Sequence, residues 1–271
     1  MNAFKKTIVA ASIAAASLFS ATASAGVFEV NPTGSYANFT ADRIGGTYTE
    51  IATFNQAAGT FNVSLYWDAT SFVSNGVSVK AGTTGLGVGY SMYALYKAAG
   101  TFVTTGAETV FTFLPGTGGL SLFLDAGNNT VKTANATTGS GNFTFANTAD
   151  DVELATGIAL AGEGNLDPTL STCGTGSGVG INCGSFGSDT TFNLTGPGAN
   201  FFVSPNPFYN LSFQSGQLTR FSPTATQTIT GSLDVVFEGQ PSEVPEPASV
   251  GLLGLGMLGL YAARRRNKKA A

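Results

Sequence analysis

The chain has 271 residues, with 12 lysines and arginines, 16 aspartates and glutamates, two cysteines, 36 glycines and no histidine. The missing histidine excludes Ser-His-Asp and Cys-His catalysis, histidine-ligated zinc and facial-triad iron sites. A hydrolase with this composition would have to work with carboxylates alone.

The first 25 residues have the form of a signal peptide. Two lysines precede an apolar run that begins at Thr7, and an Ala-Ser-Ala cleavage site ends at Ala25. We therefore predict cleavage between Ala25 and Gly26 and an exported domain over residues 26–239.

The exported part is acidic once the targeting segments are set aside. Between residues 26 and 243, five cations stand against fifteen acids, a net charge of −10. Since no basic patch is available to neutralise phosphates, we predict that the domain does not bind nucleic acid. The abundant Gly, Ser, Thr and Asn suit a surface that hydrogen-bonds carbohydrate, and equally any secreted β protein.

Short runs of alternating apolar and polar residues follow along the chain, separated by Gly, Asn and Asp. They are rich in β-branched and aromatic residues, which is typical of strands. We predict an all-β domain, either a β-sandwich or a jelly-roll-like fold. The predicted strands cover residues 47–54, 60–67, 77–80, 109–113, 119–125, 141–145, 190–194, 199–203, 209–213 and 227–237.

Two segments fit a strand or a helix. Residues 90–99 contain good helix formers but also alternate, so we favour a strand, with residues 100–103 as the second arm of a hairpin. Residues 150–157 start with two acids, as helices often do. The motif Ala-Ala-Gly-Thr-Phe occurs at residues 57–61 and 98–102, and we interpret both copies as hairpin turns.

The glycine-rich stretch 162–187 is predicted to be a long surface loop. It contains Cys173 and Cys183, ten residues apart. An exported chain meets an oxidising compartment, so we predict a disulfide between them. A metal or redox site lacks partners, because the chain has neither histidine nor a C-x-x-C motif.

Two acidic patterns resemble calcium ligands. Glu163, Asn165 and Asp167 have the alternate-residue oxygen spacing of a calcium loop, but without the glycine and the distal glutamate of an EF-hand. Asp150-Asp151-x-Glu153 could bind calcium or begin a strand or helix. In both patterns we favour polar residues without metal, so we assign no metal and no cofactor.

Enzymatic activity is not predicted. A glycosidase needs two carboxylates about 5 to 10 Å apart across a sugar, and the sequence does not pair its acids. Exposed aromatic residues could stack on sugars, but the candidates lie in alternating runs where burial is the favoured interpretation. These candidates are Tyr66, Trp67, Tyr90, Tyr93 and Tyr209.

The C-terminal segment has three parts. Residues 240–248 are a Pro-rich linker that contains Pro245-Glu246-Pro247, and residues 249–263 carry no charge. As a helix, these fifteen residues would extend about 22 Å, short of the ~30 Å hydrocarbon core. The positive-inside rule predicts a cytoplasmic tail over residues 264–271. Its cations are Arg264, Arg265, Arg266, Lys268 and Lys269.

This order of Pro-Glu-Pro, short apolar span and basic end resembles the PEP-CTERM sorting signal of Gram-negative bacteria that produce exopolysaccharide. The resemblance implies recognition by exosortase, a membrane-embedded cysteine protease, with cleavage near Pro245-Glu246-Pro247. The chain would be membrane-anchored through residues 249–263 before processing and would then reach the cell surface or matrix. The alternative is a permanent C-terminal anchor.

A second resemblance covers the exported domain. Residues 41–51, 59–65 and 89–96, with Cys173 and the segment 181–186, look like the flocculation-associated PEP-CTERM proteins. It implies a surface protein that promotes aggregation by association with extracellular polysaccharide. A carboxylate-only carbohydrate-active enzyme and an inert matrix component are the alternatives.

Overall fold

The computed structural model describes residues 25–32, 36–174, 182–215 and 218–238. This part of the chain is almost entirely β, which confirms the predicted fold class. Its two helices are α1 (Ala81–Thr84) and α2 (Gly196–Phe201). Its strands are β1 (Phe28–Val30), β2 (Phe39–Ala41), β3 (Arg43–Asn55), β4 (Thr60–Ser74), β5 (Val77–Ser78), β6 (Ser91–Thr105), β7 (Glu108–Phe113), β8 (Gly119–Asp125), β9 (Val131–Ala134), β10 (Thr144–Ala146), β11 (Asp151–Gly157), β12 (Ala159–Leu166), β13 (Gly184–Thr190), β14 (Asn193–Leu194), β15 (Phe202–Ser204), β16 (Asn210–Ser215) and β17 (Thr226–Glu238).

Eight antiparallel strands form a closed sheet, which we call the ring. Its order is β3, β4, β6, β7, β12, β13, β16 and β17, and β17 pairs again with β3. The pairing of β4 with β6 completes the circuit. A closed sheet has no free edge strand along its circumference, so neighbouring chains find no unpaired backbone there.

The sheet forks at β6. Its first half, Ser91–Lys97, pairs with β8, and its second half, Gly100–Thr105, pairs with β7. Strands β8, β11 and β14 thus form a wing that leaves the ring. Strands β15, β1 and β2 form a separate three-stranded sheet.

The interior of the ring follows the period-two pattern of its strands. In β3 the even-numbered side chains point inward, and Tyr48, Ala52 and Phe54 belong to the main core. Each fully buried large apolar side chain contributes about 1.5–3 kcal/mol of transfer free energy. Phe28 and Phe202 contact Phe237, so the three-stranded sheet covers one end of the ring.

Trp67 is fully buried inside the ring, and its indole donates a hydrogen bond to the carbonyl of Leu233 at 3.0 Å. Gly46 makes this position possible, because a Cβ there would lie 2.3 Å from the indole nitrogen. A side chain at position 46 would therefore displace the indole.

A second, smaller core lies on the outer face of the sheet. The hairpin of β9 and β10 covers Ile51, which packs with Ala136 and Phe143. The ammonium of Lys132 lies 4.7 Å from the centre of the Tyr66 ring. We call residues 131–146 the outer hairpin.

Several local predictions need correction. Residues 91–103 lie in one continuous strand rather than a hairpin, since Gly100 pairs with both Phe61 and Phe113. The second Ala-Ala-Gly-Thr-Phe copy is thus strand and not turn, whereas the first does form the β3–β4 turn. Residues 199–201 end a helix in place of the predicted strand, because the Thr195 hydroxyl caps it by accepting from the amide of Gly198.

The predicted loop over residues 162–187 is shorter than expected. Residues 162–166 and 184–187 are paired strands, and glycine permits this because Gly162 and Gly164 pass close to the neighbouring strand. The predicted strand 119–125 is confirmed as β8, and the ambiguous segment 150–157 forms a strand, β11. No helix among the described residues is long and apolar enough to cross a membrane, and the predicted span 249–263 lies outside them.

Candidate functional site

A surface groove of about 390 Å³ lies where the chain enters and leaves the ring. Asp42 and Arg43 come from the start of β3, Gln214 from β16, and Glu238 from the end of β17. The strand pairing brings these ends together, since Arg43 lies opposite Val236. The groove therefore combines two carboxylates, a guanidinium and an amide, and we call it the polar groove.

The polar groups of the groove are already partly ordered. The Arg43 guanidinium donates to Asp234 at 3.0 Å. The Gln214 amide nitrogen lies 3.3 Å from the Ser212 hydroxyl and 3.5 Å from Glu238. Asp42 accepts the backbone amide of Asn75. Because Gln214 is exposed and its bonds are long, its amide is available to a ligand.

A buried carboxyl group lies inside the ring. Glu50 points inward between Tyr48 and Ala52 and is only 8% exposed. It lines an interior cavity of about 30 Å³, room for about one water, whose other walls are apolar. Burial raises the pKa of Glu50 to about 7. The apolar lining residues are Phe54, Phe61, Val63, Phe111, Phe113, Phe186, Leu218, Phe221 and Ile229.

Three carboxylates converge at the base of the wing. Asp125 ends β8, and Asp150 and Asp151 lie at the start of β11, with one oxygen of each within 4.8 Å of the others. The Tyr93 hydroxyl donates to Asp151 at 2.6 Å, and the Thr130 hydroxyl donates to its other oxygen at 2.7 Å. We call Asp125, Asp150 and Asp151 the aspartate cluster.

The backbone around Asp125 favours its charged form. Burial alone would raise the pKa of Asp125, but the amides of Thr130, Asn129 and Gly127 and the Ser91 hydroxyl lower it overall. Asp125 is therefore an ionised carboxylate with 0% exposure at neutral pH.

The predicted disulfide between Cys173 and Cys183 is confirmed, and both cysteines are buried. The carbonyl of Cys183 accepts the amide of Asp167, and its own amide donates to Leu218, so the bridge joins the loop to the core. Gly26, the predicted first residue after signal cleavage, donates its amide to Phe237 at 2.7 Å. Ala25 lines the polar groove.

The calcium pattern at residues 163–167 is divided between a strand and a turn. Glu163 and Asn165 lie on the outer face of β12, where Asn165 accepts the amide of Ser185 at 3.3 Å. Asp167 accepts the amide and the hydroxyl of Thr169 at 2.8 and 2.6 Å. Two of the three candidates thus have separate partners, and the favoured interpretation, polar residues without metal, stays a prediction.

The aromatic candidates for sugar stacking are in the interior or half-buried. Trp67, Tyr90 and Tyr93 are at most 5% exposed, and Tyr66 and Tyr209 are half-buried. Over the described ranges no aromatic side chain is exposed. The favoured interpretation, burial, is confirmed for the first three.

The sequence did not point to Asp125, Glu50 or the polar groove. For Glu50 a signal existed, since period two places it on the same face as Tyr48 and Phe54. For Asp125 and the groove no local signal existed, because their members come from distant parts of the chain.

Pro245-Glu246-Pro247 and the basic tail lie outside the described residues, but comparison with known families identifies this segment. Residues 243–266 match the PEP-CTERM protein-sorting motif. By this motif the chain is a PEP-CTERM protein. The motif implies that the protein is exported, passes through a membrane-anchored intermediate that exosortase processes, and then reaches the cell surface.

Comparisons with curated proteins and with solved structures found no match. The PEP-CTERM assignment thus rests on the sorting motif, and the resemblance of the domain to flocculation-associated proteins stays a prediction.

Proposed function

We propose that the domain of this PEP-CTERM protein associates with extracellular polysaccharide through the polar groove and thereby promotes cell aggregation. In this proposal the protein carries out no chemistry of its own. The sorting motif supports it, because a surface protein would be within reach of such a polymer.

The composition of the groove is the observation that carries the proposal. Carboxylates accept hydrogen bonds from sugar hydroxyls, and guanidinium and amide groups donate to them. Asp42, Arg43, Gln214 and Glu238 offer both kinds of group on one surface. Its volume lies within the ~300–1,000 Å³ range of ligand sites, enough for a sugar unit of a longer chain.

The mode of binding follows from the buried aromatic residues. Since no described aromatic side chain is exposed, the sugar would be held by hydrogen bonds rather than by ring stacking. Each such bond contributes only about 0.5–1.5 kcal/mol in water. Strong retention in a matrix would therefore depend on many protein copies along one polymer.

A clean deletion, complemented with the wild-type gene, tests the proposal. We expect slower settling of cell aggregates and less protein-bound polysaccharide in the deletion strain, both restored by complementation. Unchanged settling and unchanged pulldown in the deletion strain would refute the proposal and favour an inert matrix component.

A point variant connects the phenotype to the groove. Gln214→Ala removes an exposed amide whose hydrogen bonds are long, so the fold should tolerate it. One lost hydrogen bond of about 1 kcal/mol corresponds to about fivefold weaker polysaccharide retention. Asn62→Ala, which removes an exposed amide from β4 outside the groove, is the matched control and should behave like wild type.

The groove also favours one second candidate. Asp42 and Glu238 are two acids in a single groove, and a carboxylate-only glycosidase would need such a pair. Incubation of purified protein with the polysaccharide distinguishes the two functions. Shortened glycan products that disappear in Glu238→Gln would establish the enzyme, whereas an unchanged chain length supports binding alone.

A further inference from the structure

The aspartate cluster carries negative charge without a visible counter-charge. Asp125 and Asp151 lie directly opposite each other in the pairing of β8 with β11. Like charges at opposite positions destabilise an antiparallel pair. Among the described residues, Arg43 and Asp234 form the one ion pair. No described lysine or arginine therefore forms an ion pair with the aspartate cluster.

One oxygen of Asp125 lacks a donor as well. Oδ2 accepts the Ser91 hydroxyl and the Thr130 amide, both at 2.9 Å. Oδ1 is fully buried and accepts no hydrogen bond. A buried carboxylate oxygen without a hydrogen bond is costly, and the nearby amides of Asn129 and Gly127 offset that cost only in part, so a bound cation would stabilise this group.

We propose that Asp125, Asp150 and Asp151 bind a calcium ion. Carboxylate oxygens are the ligands of hard cations, and no histidine or cysteine is near to favour a transition metal. Calcium binds oxygen at about 2.3–2.6 Å, so its ligands can be up to about 5 Å apart across the ion. One oxygen of each aspartate lies within 4.8 Å of the others, a spacing that a calcium ion can bridge. Magnesium demands near-ideal octahedral geometry at about 2.0–2.1 Å and dehydrates reluctantly, so we expect it to bind more weakly.

The ion would fasten the outer hairpin to the wing. Thr130, which precedes β9, already donates its hydroxyl to Asp151, and the Asn129 amide lies 3.5 Å from Asp150. Calcium at the cluster would join the end of β8 to the start of β11, which are the two strand ends that flank this hairpin. Extracellular calcium modules have dissociation constants of about 10⁻⁴–10⁻³ M, and we expect this range.

The first experiment measures binding of calcium alone. The full chain is purified in detergent, freed of metal with EDTA, and titrated with CaCl₂ in a calorimeter at pH 7. Thermal unfolding is followed by the fluorescence of Trp67, the single tryptophan. We expect an increase in Tm of about 3–8 °C in 10 mM CaCl₂ and a smaller one in 10 mM MgCl₂. No heat of binding and no change in Tm would overturn the proposal.

Variants assign the ion to the cluster. Asp150→Asn, at a half-buried position, should abolish the calcium-dependent rise in Tm. In EDTA this variant should melt at or above the wild-type temperature, because a like-charge contact has been removed. A purely structural role would instead lower the Tm in EDTA and leave the calcium response intact.

Glu163→Gln is the matched control, since it removes one acid from the other acidic pattern. It should retain the full response, and a response lost in Glu163→Gln but retained in Asp150→Asn would overturn the assignment. Terbium gives an independent readout, because Tyr93 donates directly to Asp151 and its ring can sensitise terbium luminescence. That luminescence should disappear in Asp150→Asn, and persistence in this variant would contradict the site.

Discussion

Glu50 makes the stability of the ring depend on pH. Its pKa rises from an ordinary 4.5 to about 7 because burial disfavours the charged form. Between these values the unfolded chain releases the proton while the native protein retains it. Stability therefore falls as the pH rises from about 4.5 to about 7 and stays low above that. A shift of about 2.5 units corresponds to about 3 kcal/mol.

Glu50→Gln removes this dependence. The buried amide carries no charge at any pH, so its own cost is constant and cancels when two pH values are compared. Relative to wild type, the variant should gain about 2.5 kcal/mol in unfolding free energy between pH 5 and pH 8, because part of the loss in wild type has already occurred at pH 5. The assay is urea unfolding of the full chain in detergent at both pH values, followed by Trp67 fluorescence, which is informative because the indole is fully buried.

A matched control separates burial from loss of a carboxylate. Glu163→Gln makes the same change at an exposed position of β12 and should alter stability by less than about 0.5 kcal/mol at either pH. A Glu50→Gln variant whose difference from wild type is the same at pH 5 and pH 8 would show that the Glu50 carboxyl is hydrated, and the reasoning from burial would fail.

Three further predictions concern packing, the disulfide and processing. Gly46→Ala should lower the unfolding free energy by about 2–4 kcal/mol, seen as a lower urea midpoint, because the new methyl displaces the Trp67 indole from the Leu233 carbonyl. Gly82→Ala in α1, where an added Cβ meets nothing within 4 Å, is the comparison and should cost less. Replacing both Cys173 and Cys183 by serine should cost about 2–3 kcal/mol by the loop-entropy relation, and thiol titration of the non-reduced wild-type protein should find no free thiol. Mass spectrometry of surface-exposed protein should find a C-terminus near Pro245-Glu246-Pro247, and an intact basic tail on that material would contradict processing.

The strands were largely predictable from the sequence, because the two faces of a half-buried strand appear in the sequence as alternating apolar and polar residues. Residues 119–125 match β8, and residues 227–237 fall within β17. The closure of the ring was not predictable. Strands β3 and β17 pair across more than 170 residues, and a local sequence pattern does not identify a distant partner strand. The fork at β6 was missed for the same reason, as the alternation of one strand does not reveal three neighbours.

The sites divide in a similar way. The disulfide could be predicted because two cysteines in an exported chain allow one pairing. The acidic pattern at Asp150 and Asp151 was visible together with Glu153, but the proximity of Asp125 was not, because the β8–β11 pairing supplies it. The polar groove joins Asp42 to Glu238, at opposite ends of the domain sequence, so only the assembled ring could place them together.

The position of β17 in the ring has a consequence for the order of events during export. This strand comes last in the domain, yet it lies between β3, which comes early, and β16. A chain that is exported N-terminus first cannot close the ring until β17, which ends at Glu238, has crossed the membrane. The sorting motif begins at residue 243, only a few residues later. Closure of the ring therefore depends on the strand that immediately precedes the sorting motif.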